Sequence, residues 1–173
     1  MIMRAGQPLL LPVSPAFIWT SLTLAFLFNL LPLGLLVWMP DALAVVLVFW
    51  NVHQPRHVGL AAAFIFGLCL DVHQATLLGQ HALAYSVLSF AALAMQRRIL
   101  GRPALAQALH LLPLFALSYA LIALVRLLAG GIAPPGWAAL LAPLFEAALW
   151  PLLAWLLLAP QRRAPNPDAD RPI

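Results

Sequence analysis

The chain contains no lysine, a single cysteine and few charged residues of any kind. The chain has nine arginines and five acidic residues, and charged residues make up 8% of the 173 positions, compared with about 25% in a typical soluble domain. The single cysteine, Cys69, excludes an intrachain disulfide. Hydrophobic residues make up 64%, so the composition excludes an ordinary soluble globular protein and indicates an integral membrane protein.

Six apolar stretches fill most of the sequence. At about 20 residues per crossing, six spans leave no room for a soluble catalytic domain. We therefore predict an all-α membrane domain of six transmembrane helices over residues 1–160. The proline-, arginine- and aspartate-rich segment 161–173 is predicted to be a disordered cytoplasmic tail. The stretches cover residues 15–38, 41–54, 57–71, 80–96, 104–129 and 137–159.

The connections between these stretches lie alternately on one side of the membrane and on the other, and the arginines are distributed unequally between the two sides. One side receives eight of the nine, and the other receives only Arg126. Arginine in short loops is retained in the cytoplasm during insertion, so both termini are predicted to be cytoplasmic. Outer loops are then expected near 39–41, 72–79 and 130–136. The net charge is +4. We expect the arginines that carry it to contact anionic lipid headgroups rather than nucleic acid. The eight arginines are Arg4, Arg56, Arg97, Arg98, Arg102, Arg162, Arg163 and Arg171.

The second and third stretches are short for membrane spans. At 1.5 Å per residue they cover about 21–23 Å of a roughly 30 Å hydrocarbon layer. They must therefore thin the bilayer locally or be shielded by other helices.

Small residues recur every four positions in the third stretch. Gly59, Ala63 and Gly67 form one ridge that ends at Asp71. Small ridges let helix backbones approach closely in lipid. The ridge predicts either internal helix packing or a docking face for the helix of another protein.

Three ionisable residues are expected within or near the membrane. Glu146 lies about nine residues into the sixth stretch, whereas Arg126 and Asp71 lie near the outer ends of the fifth and third. Such residues are costly and usually functional. Arg126 can reach a headgroup or pair with Asp71 or Glu146. The alternatives are a structural ion pair and a proton or substrate relay.

Catalytic and metal-binding motifs are missing. The sequence has no Gly-x-Ser-x-Gly elbow, P-loop or His-Glu-x-x-His motif. Zinc needs three or four converging ligands, and the predicted topology separates the histidines. We expect no enzyme activity, no metal and no cofactor. The histidines are His53, His57, His73, His81 and His110.

Two strings of residues carry a family resemblance. They are Pro55-Arg56-His57-Val58-Gly59, which leads into the small-residue ridge, and Leu78-Gly79-Gln80-His81-Ala82-Leu83-Ala84-Tyr85. The pattern resembles the MreD family of rod shape-determining proteins, in which a proline precedes a glycine-spaced helix that ends in aspartate. A Leu-Gly turn then opens the next helix. Ala63 and Leu77 depart from the family, where glycine and proline are common.

This resemblance implies a scaffold of the bacterial cell-elongation (Rod) complex in the inner membrane. Such proteins bind MreC directly and connect MreB filaments, indirectly, with RodA and its penicillin-binding transpeptidase partner. The implied fold is similar to the six-helix S component of energy-coupling-factor transporters. The residues implied in helix packing or partner docking are Pro55, Gly59, Ala63, Gly67, Asp71 and Gly79.

The fold likeness leaves a second interpretation, a vitamin-like small-molecule binding subunit of a transporter. Such a subunit needs a large cavity that opens outward and is lined by polar groups. The sequence predicts few polar residues on the outer side. A third interpretation is a scaffold with no pocket. The predicted outer polar residues are Asp71, His73, Gln74, Gln80, His81, Arg126 and Glu146.

Overall fold

The computed structural model describes residues 13–31, 39–130 and 141–161, and all the regular secondary structure in these ranges is helical. A short 3-10 turn, Ala159–Gln161, extends the last helix. The helices are α1 Pro15–Leu30, α2 Ala42–His53, α3 Leu60–His73, α4 Gln80–Leu100, α5 Ala104–Leu128 and α6 Leu141–Leu158. Each corresponds to one of the six apolar stretches.

The helices form a bundle in which sequence neighbours run antiparallel. Helix α4 packs against α2, α3 and α5, and α6 packs against α2 and α5. At one end, which we call the polar end, α1, α3 and α5 finish and α2, α4 and α6 begin. The opposite end, which we call the arginine end, carries Arg56, Arg97, Arg98 and Arg102 in or beside its connections.

The short helix α2 lies at the centre of the bundle. All ten residues from Leu43 to Val52 are buried, and the helix packs against α1, α4 and α6. A short apolar helix must either thin the bilayer or be shielded by other helices, and α2 is shielded by its neighbours. The helix spans only about 18 Å, and its backbone and side chains contact protein rather than the surroundings.

The outer surface of the bundle is apolar. Phe90, Leu105 and Trp155 are all more than half exposed, as expected for side chains that face lipid acyl chains rather than water. By length and composition, two of the described helical segments can cross a membrane, Ala104–Leu128 and Leu141–Gln161. The apolar helices α1, α2 and α3 are shorter, and α4 carries polar residues near both ends.

Some predicted segments lie outside the described residues. These are the end of the first stretch at 32–38, most of the predicted outer loop at 130–136, and the tail from 162 onwards. Gln161, the first residue of the predicted tail, is buried, and its side-chain amide donates to the carbonyl of Leu157 at 3.0 Å.

Candidate functional site

Polar side chains from five helices meet at the polar end and form what we call the carboxylate cluster. Each member hydrogen-bonds to at least one other member. Because the members come from α1, α2, α4, α5 and α6, the cluster joins all the described helices except α3. Its residues are Asn29, Asp41, Tyr85, Tyr119 and Glu146.

Asp41 is the centre of this cluster because it is the N-cap of α2. Its Oδ1 accepts from the backbone N–H of Ala44 at 2.9 Å and from the Asn29 amide at 2.5 Å. Its Oδ2 accepts from the hydroxyl of Tyr85. A carboxylate at a helix N-terminus is stabilised by the free N–H groups and the helix dipole. The same side chain therefore begins α2 and ties it to α1 and α4.

Glu146 is fully buried beside Asp41. Its Oε1 accepts from the backbone N–H of Asp41 at 3.0 Å and from the Tyr119 hydroxyl at 2.7 Å. The other carboxyl oxygen, Oε2, is buried and has no hydrogen-bond partner among the described residues. Leaving a buried polar atom unpaired is unfavourable, so the bonds to Oε1 are important for keeping Glu146 in the bundle.

Asp71 forms a second polar group where α3 ends and α4 begins. Its carboxylate accepts from the backbone N–H groups of Gly79 and His81, both at 2.9 Å, and from the Thr76 hydroxyl at 3.1 Å. The Nδ1 atom of His81 lies 2.7 Å from Asp71 Oδ1. Asp71 thus caps α4 from the preceding helix. Gly79 has a φ of +98°, a conformation that glycine adopts without a Cβ clash, and this turns its N–H toward Asp71.

Among the described residues, Arg126 bonds to an amide rather than to either carboxylate considered from the sequence. In the described part of the chain neither Asp71 nor Glu146 forms a salt bridge with it, and its Nε instead donates to Gln80 Oε1 at 3.2 Å. Of the alternatives raised by the sequence, pairing with Asp71 or Glu146 is not seen among the described residues, and contact of Arg126 with a lipid headgroup stays a prediction. Asp71 accepts from the N–H groups at the start of α4, and Oε1 of Glu146 accepts from Tyr119 and Asp41.

The small-residue ridge lies partly in the contact between α3 and α4. A Cβ on Gly67 would stand 2.5 Å from the Cα of Ala82 and 2.6 Å from its backbone nitrogen. Ala63 and Asp71 are fully buried. Gly59 is different, because a Cβ there would meet nothing within 4 Å. Pro55 lies in the α2–α3 turn at the arginine end and is half-buried.

A cavity of about 490 Å³ opens between the carboxylate cluster and the Asp71 group. Its size lies in the range of small-molecule sites, about 300–1,000 Å³. This cavity argues against the interpretation of a scaffold with no pocket. The described polar lining differs from the predicted inventory: His73, Gln74 and His81 are shared, and Asn29, Asp41, Ser118 and Tyr119 were not predicted. Among the described residues, the polar lining is Asn29, Asp41, His73, Gln74, His81, Ser118 and Tyr119.

The chemistry of these polar groups favours ligand binding and the stabilisation of helix packing over catalysis. The Asp71–His81 pair has the geometry of a carboxylate that orients an imidazole. In the described residues no serine, threonine or cysteine hydrogen-bonds to the His81 ring, which a nucleophile–base pair would require. Nor do the described residues contain a group of three or more histidine, cysteine, aspartate or glutamate side chains that could hold a metal.

Four members of the carboxylate cluster were missed from the sequence. Asp41 follows Pro40 and precedes an apolar run, the pattern of an N-cap, and this signal could have identified it. Tyr85 and Tyr119 are the two tyrosines of the chain, and a buried tyrosine hydroxyl usually finds a partner. Nothing local in the sequence shows that these residues and Asn29 converge.

Comparison with known families is informative over most of the chain. The model of a family described as rod shape-determining protein MreD matches residues 12–159. This match covers all six described helices as far as the beginning of the final 3-10 turn. No solved structure matches the chain.

Proposed function

The chain belongs to the MreD family of rod shape-determining proteins, and from this membership we propose that it is a non-enzymatic scaffold of the bacterial Rod complex. In this role it binds MreC directly in the inner membrane. Through MreC it connects MreB filaments with RodA and its transpeptidase partner, and so helps to control cell shape and lateral peptidoglycan synthesis. The observation that carries the proposal is the family match over residues 12–159.

The proposed topology has six membrane spans with both termini in the cytoplasm. Four arginines lie at one end of the bundle, and the positive-inside tendency makes that end cytoplasmic. The polar end then faces outward. The four-arginine end and the antiparallel order of the helices support this arrangement, and we extend the proposal to the S-component-like fold that the family resemblance implies.

A scaffold role agrees with the use of the buried polar groups. Asp41 and Asp71 each cap one helix while bonding to another, and Glu146 bonds to α5 and to the start of α2. These side chains hold helices at fixed positions. The Gly67 surface of α3 is covered by α4, so we propose that a partner helix docks on the outer apolar surface rather than on the small-residue ridge.

Site-specific photocrosslinking tests this docking directly. A photoreactive phenylalanine analogue placed at Phe90, which is 62% exposed on α4, should crosslink to MreC if that face is the docking site. The same analogue at Phe115, which is fully buried on α5, is the matched control and should form no intermolecular adduct. A scan that includes Trp19, Leu105 and Trp155 covers the other exposed helix faces.

The proposal fails if none of the exposed positions crosslinks to MreC and the tagged protein does not recover MreC from mildly crosslinked cells. Deletion of the protein from a rod-shaped host should also round the cells. Normal rod shape without the protein would contradict the functional assignment irrespective of the binding result.

A second candidate function is a small-molecule binding subunit of a membrane transporter. One specific observation favours it, namely the cavity of about 490 Å³, to which seven of the described residues contribute polar groups. The scaffold role is preferred because the family is defined by cell shape. Both functions can exist in one protein, since the cavity lies inside the bundle and the proposed docking surface lies outside it.

A further inference from the structure

The cavity at the polar end has a mixed lining with an apolar and a polar wall. Phe28, Leu31 and Ile122 supply apolar surface, while Asp41 and Tyr119 supply polar groups. Ligand sites of this type bury an apolar body and orient it with a few polar contacts. The identity of the charged groups therefore decides which ligand class fits.

The permanent charge in the described lining is negative. Asp41 contributes a carboxylate, and no arginine is among the lining residues. The two segments outside the described residues that connect helices at this end, 32–38 and 131–140, contain no charged residue in their sequence. Glu146 is buried behind Asp41 and Tyr119. Arg126 is the one arginine among the described residues of this half of the bundle, and its Nε donates to Gln80.

Three polar residues of the described lining, His81, Tyr119 and Asp41, can act as hydrogen-bond acceptors. The Nδ1 of His81 lies 2.7 Å from a carboxylate oxygen, so in the neutral ring Nδ1 carries the proton and Nε2 is an acceptor. The hydroxyl of Tyr119 donates to Glu146, which leaves its oxygen lone pairs as acceptors. Asp41 is only partly buried, so its carboxylate can be reached from the cavity.

We propose that this cavity binds a primary ammonium group, with Asp41 as its counter-ion and His81 and Tyr119 as hydrogen-bond acceptors. A primary ammonium offers three donors and a positive charge and no acceptor, which complements this wall. The apolar part of the ligand lies against Phe28, Leu31 and Ile122. The inference deepens the second candidate function and does not depend on the scaffold role. The ammonium comes either from a free amine or from the headgroup of an aminophospholipid.

The first experiment measures binding of 2-phenylethylamine to the full-length protein in phosphatidylcholine nanodiscs by calorimetry. Two probes of similar shape serve as controls: neutral 2-phenylethanol and anionic phenylacetate. The expected result is saturable binding of the amine and no binding of the anion. Equal binding of all three probes would mean that the cavity or the lipid takes up apolar molecules without selecting charge, and would overturn the proposal.

A charge series at Gln74 links the binding to this cavity. Gln74 lines the cavity and is exposed, so substitutions there leave the core intact. Gln74→Glu should tighten amine binding and Gln74→Lys should weaken it, each by about two- to fivefold, the range for an exposed charge pair. His57, exposed at the arginine end, is the control position. His57→Glu and His57→Lys should leave the affinity unchanged because the distance exceeds a Debye length of about 8 Å.

Asp41→Asn tests the counter-ion itself. The amide keeps the shape of the side chain and removes the charge, so binding should fall by more than in Gln74→Lys while the protein remains folded. If this variant does not fold, the Gln74 pair still decides the question. Equal affinities for Gln74→Glu and Gln74→Lys would place the amine elsewhere and refute the assignment.

The lipid composition of the nanodisc distinguishes the two sources of ammonium. If a lipid headgroup is the natural ligand, phosphatidylethanolamine should compete with the amine and remain bound in native mass spectra. Phosphatidylcholine should not, because its quaternary ammonium has no N–H donor. If a free amine is the natural ligand, the affinity should be the same in both lipids. Failure of amine binding with retained MreC recovery would reject this inference and leave the scaffold proposal intact.

Discussion

Asp41 and Glu146 lie 105 residues apart in the sequence and are joined by a hydrogen bond from the backbone N–H of Asp41 to Oε1 of Glu146 at 3.0 Å. The carboxyl group of Glu146 thus approaches Asp41 through an amide donor and not through its carboxylate. Since Asp41 begins α2 and Glu146 belongs to α6, this bond sets how the central helix enters the bundle.

Substitution of Glu146 separates a structural role from proton transfer. Glu146→Gln retains an oxygen that accepts from Asp41 N–H and Tyr119 OH, so the protein should fold, recover MreC and support rod shape. Glu146→Leu leaves both donors unpaired, at a cost of about 1–3 kcal/mol for each buried group. Thermal stability in detergent, MreC recovery and cell shape are measured together. Normal complex assembly with complete loss of shape control in Glu146→Gln would favour a relay instead.

The contact of Arg126 with Gln80 predicts that the destabilising effects of substitutions at Arg126 and Glu146 are additive. Because Arg126 bonds to Gln80 rather than to a carboxylate, Arg126→Leu should not rescue Glu146→Leu. The destabilisation of the double variant should equal the sum of the single variants within about 0.5 kcal/mol, as measured by thermal unfolding. Recovery of stability in the double variant would show that the two side chains pair in the membrane.

The approach of α3 to α4 predicts a sharp contrast between two glycines. Gly67→Ala places a Cβ against the backbone of Ala82 and should destabilise the protein by about 1–3 kcal/mol, as overpacking does. Gly67→Leu should reduce the amount of folded protein further. Gly59→Ala is the matched control because a Cβ there meets nothing within 4 Å. Fluorescence-detected size-exclusion chromatography after heating compares them, and equal stabilities would show that α3 and α4 lie farther apart.

Asp71 is predicted to stabilise the start of α4. Asp71→Ala removes the acceptor for the N–H groups of Gly79 and His81, and loss of such a cap costs about 0.5–2 kcal/mol. The neighbouring substitution Val72→Ala, at a position that is 67% exposed, should have little effect. The midpoint of thermal unfolding in detergent measures both. A smaller loss in Asp71→Ala than in Val72→Ala would exclude the capping role.

Cysteine accessibility tests the orientation of the bundle. In a background where Cys69 is replaced by serine, cysteines at Leu78 and Ala133 should react with a membrane-impermeant reagent in intact cells. Leu78 is chosen within the predicted outer loop because it is 75% exposed, whereas the Thr76 hydroxyl bonds to Asp71. A cysteine at His57 should react only after permeabilisation. The reverse pattern would invert the proposed topology.

Some properties of this protein follow from the sequence alone. Six apolar stretches anticipated the six described helices because hydrophobicity is additive along a local segment. The four-residue spacing of Ala63, Gly67 and Asp71 placed them on one face because 3.6 residues make a helical turn. The resemblance to the MreD family implied the Leu78-Gly79 turn before α4, where Gly79 has a left-handed φ that glycine adopts readily.

The partners of the polar residues were decided by the tertiary structure. The sequence left Arg126 three candidate partners, a lipid headgroup, Asp71 or Glu146, whereas in the structure its Nε donates to Gln80. Asp71 instead accepts from the start of α4, and Glu146 accepts from Tyr119 and Asp41. The cavity likewise arises between residues from four helices and one N-cap. Such convergence depends on the angles and offsets at which helices pack, and these result from many side-chain contacts at once. These packing angles and offsets cannot be predicted from any local pattern of residues.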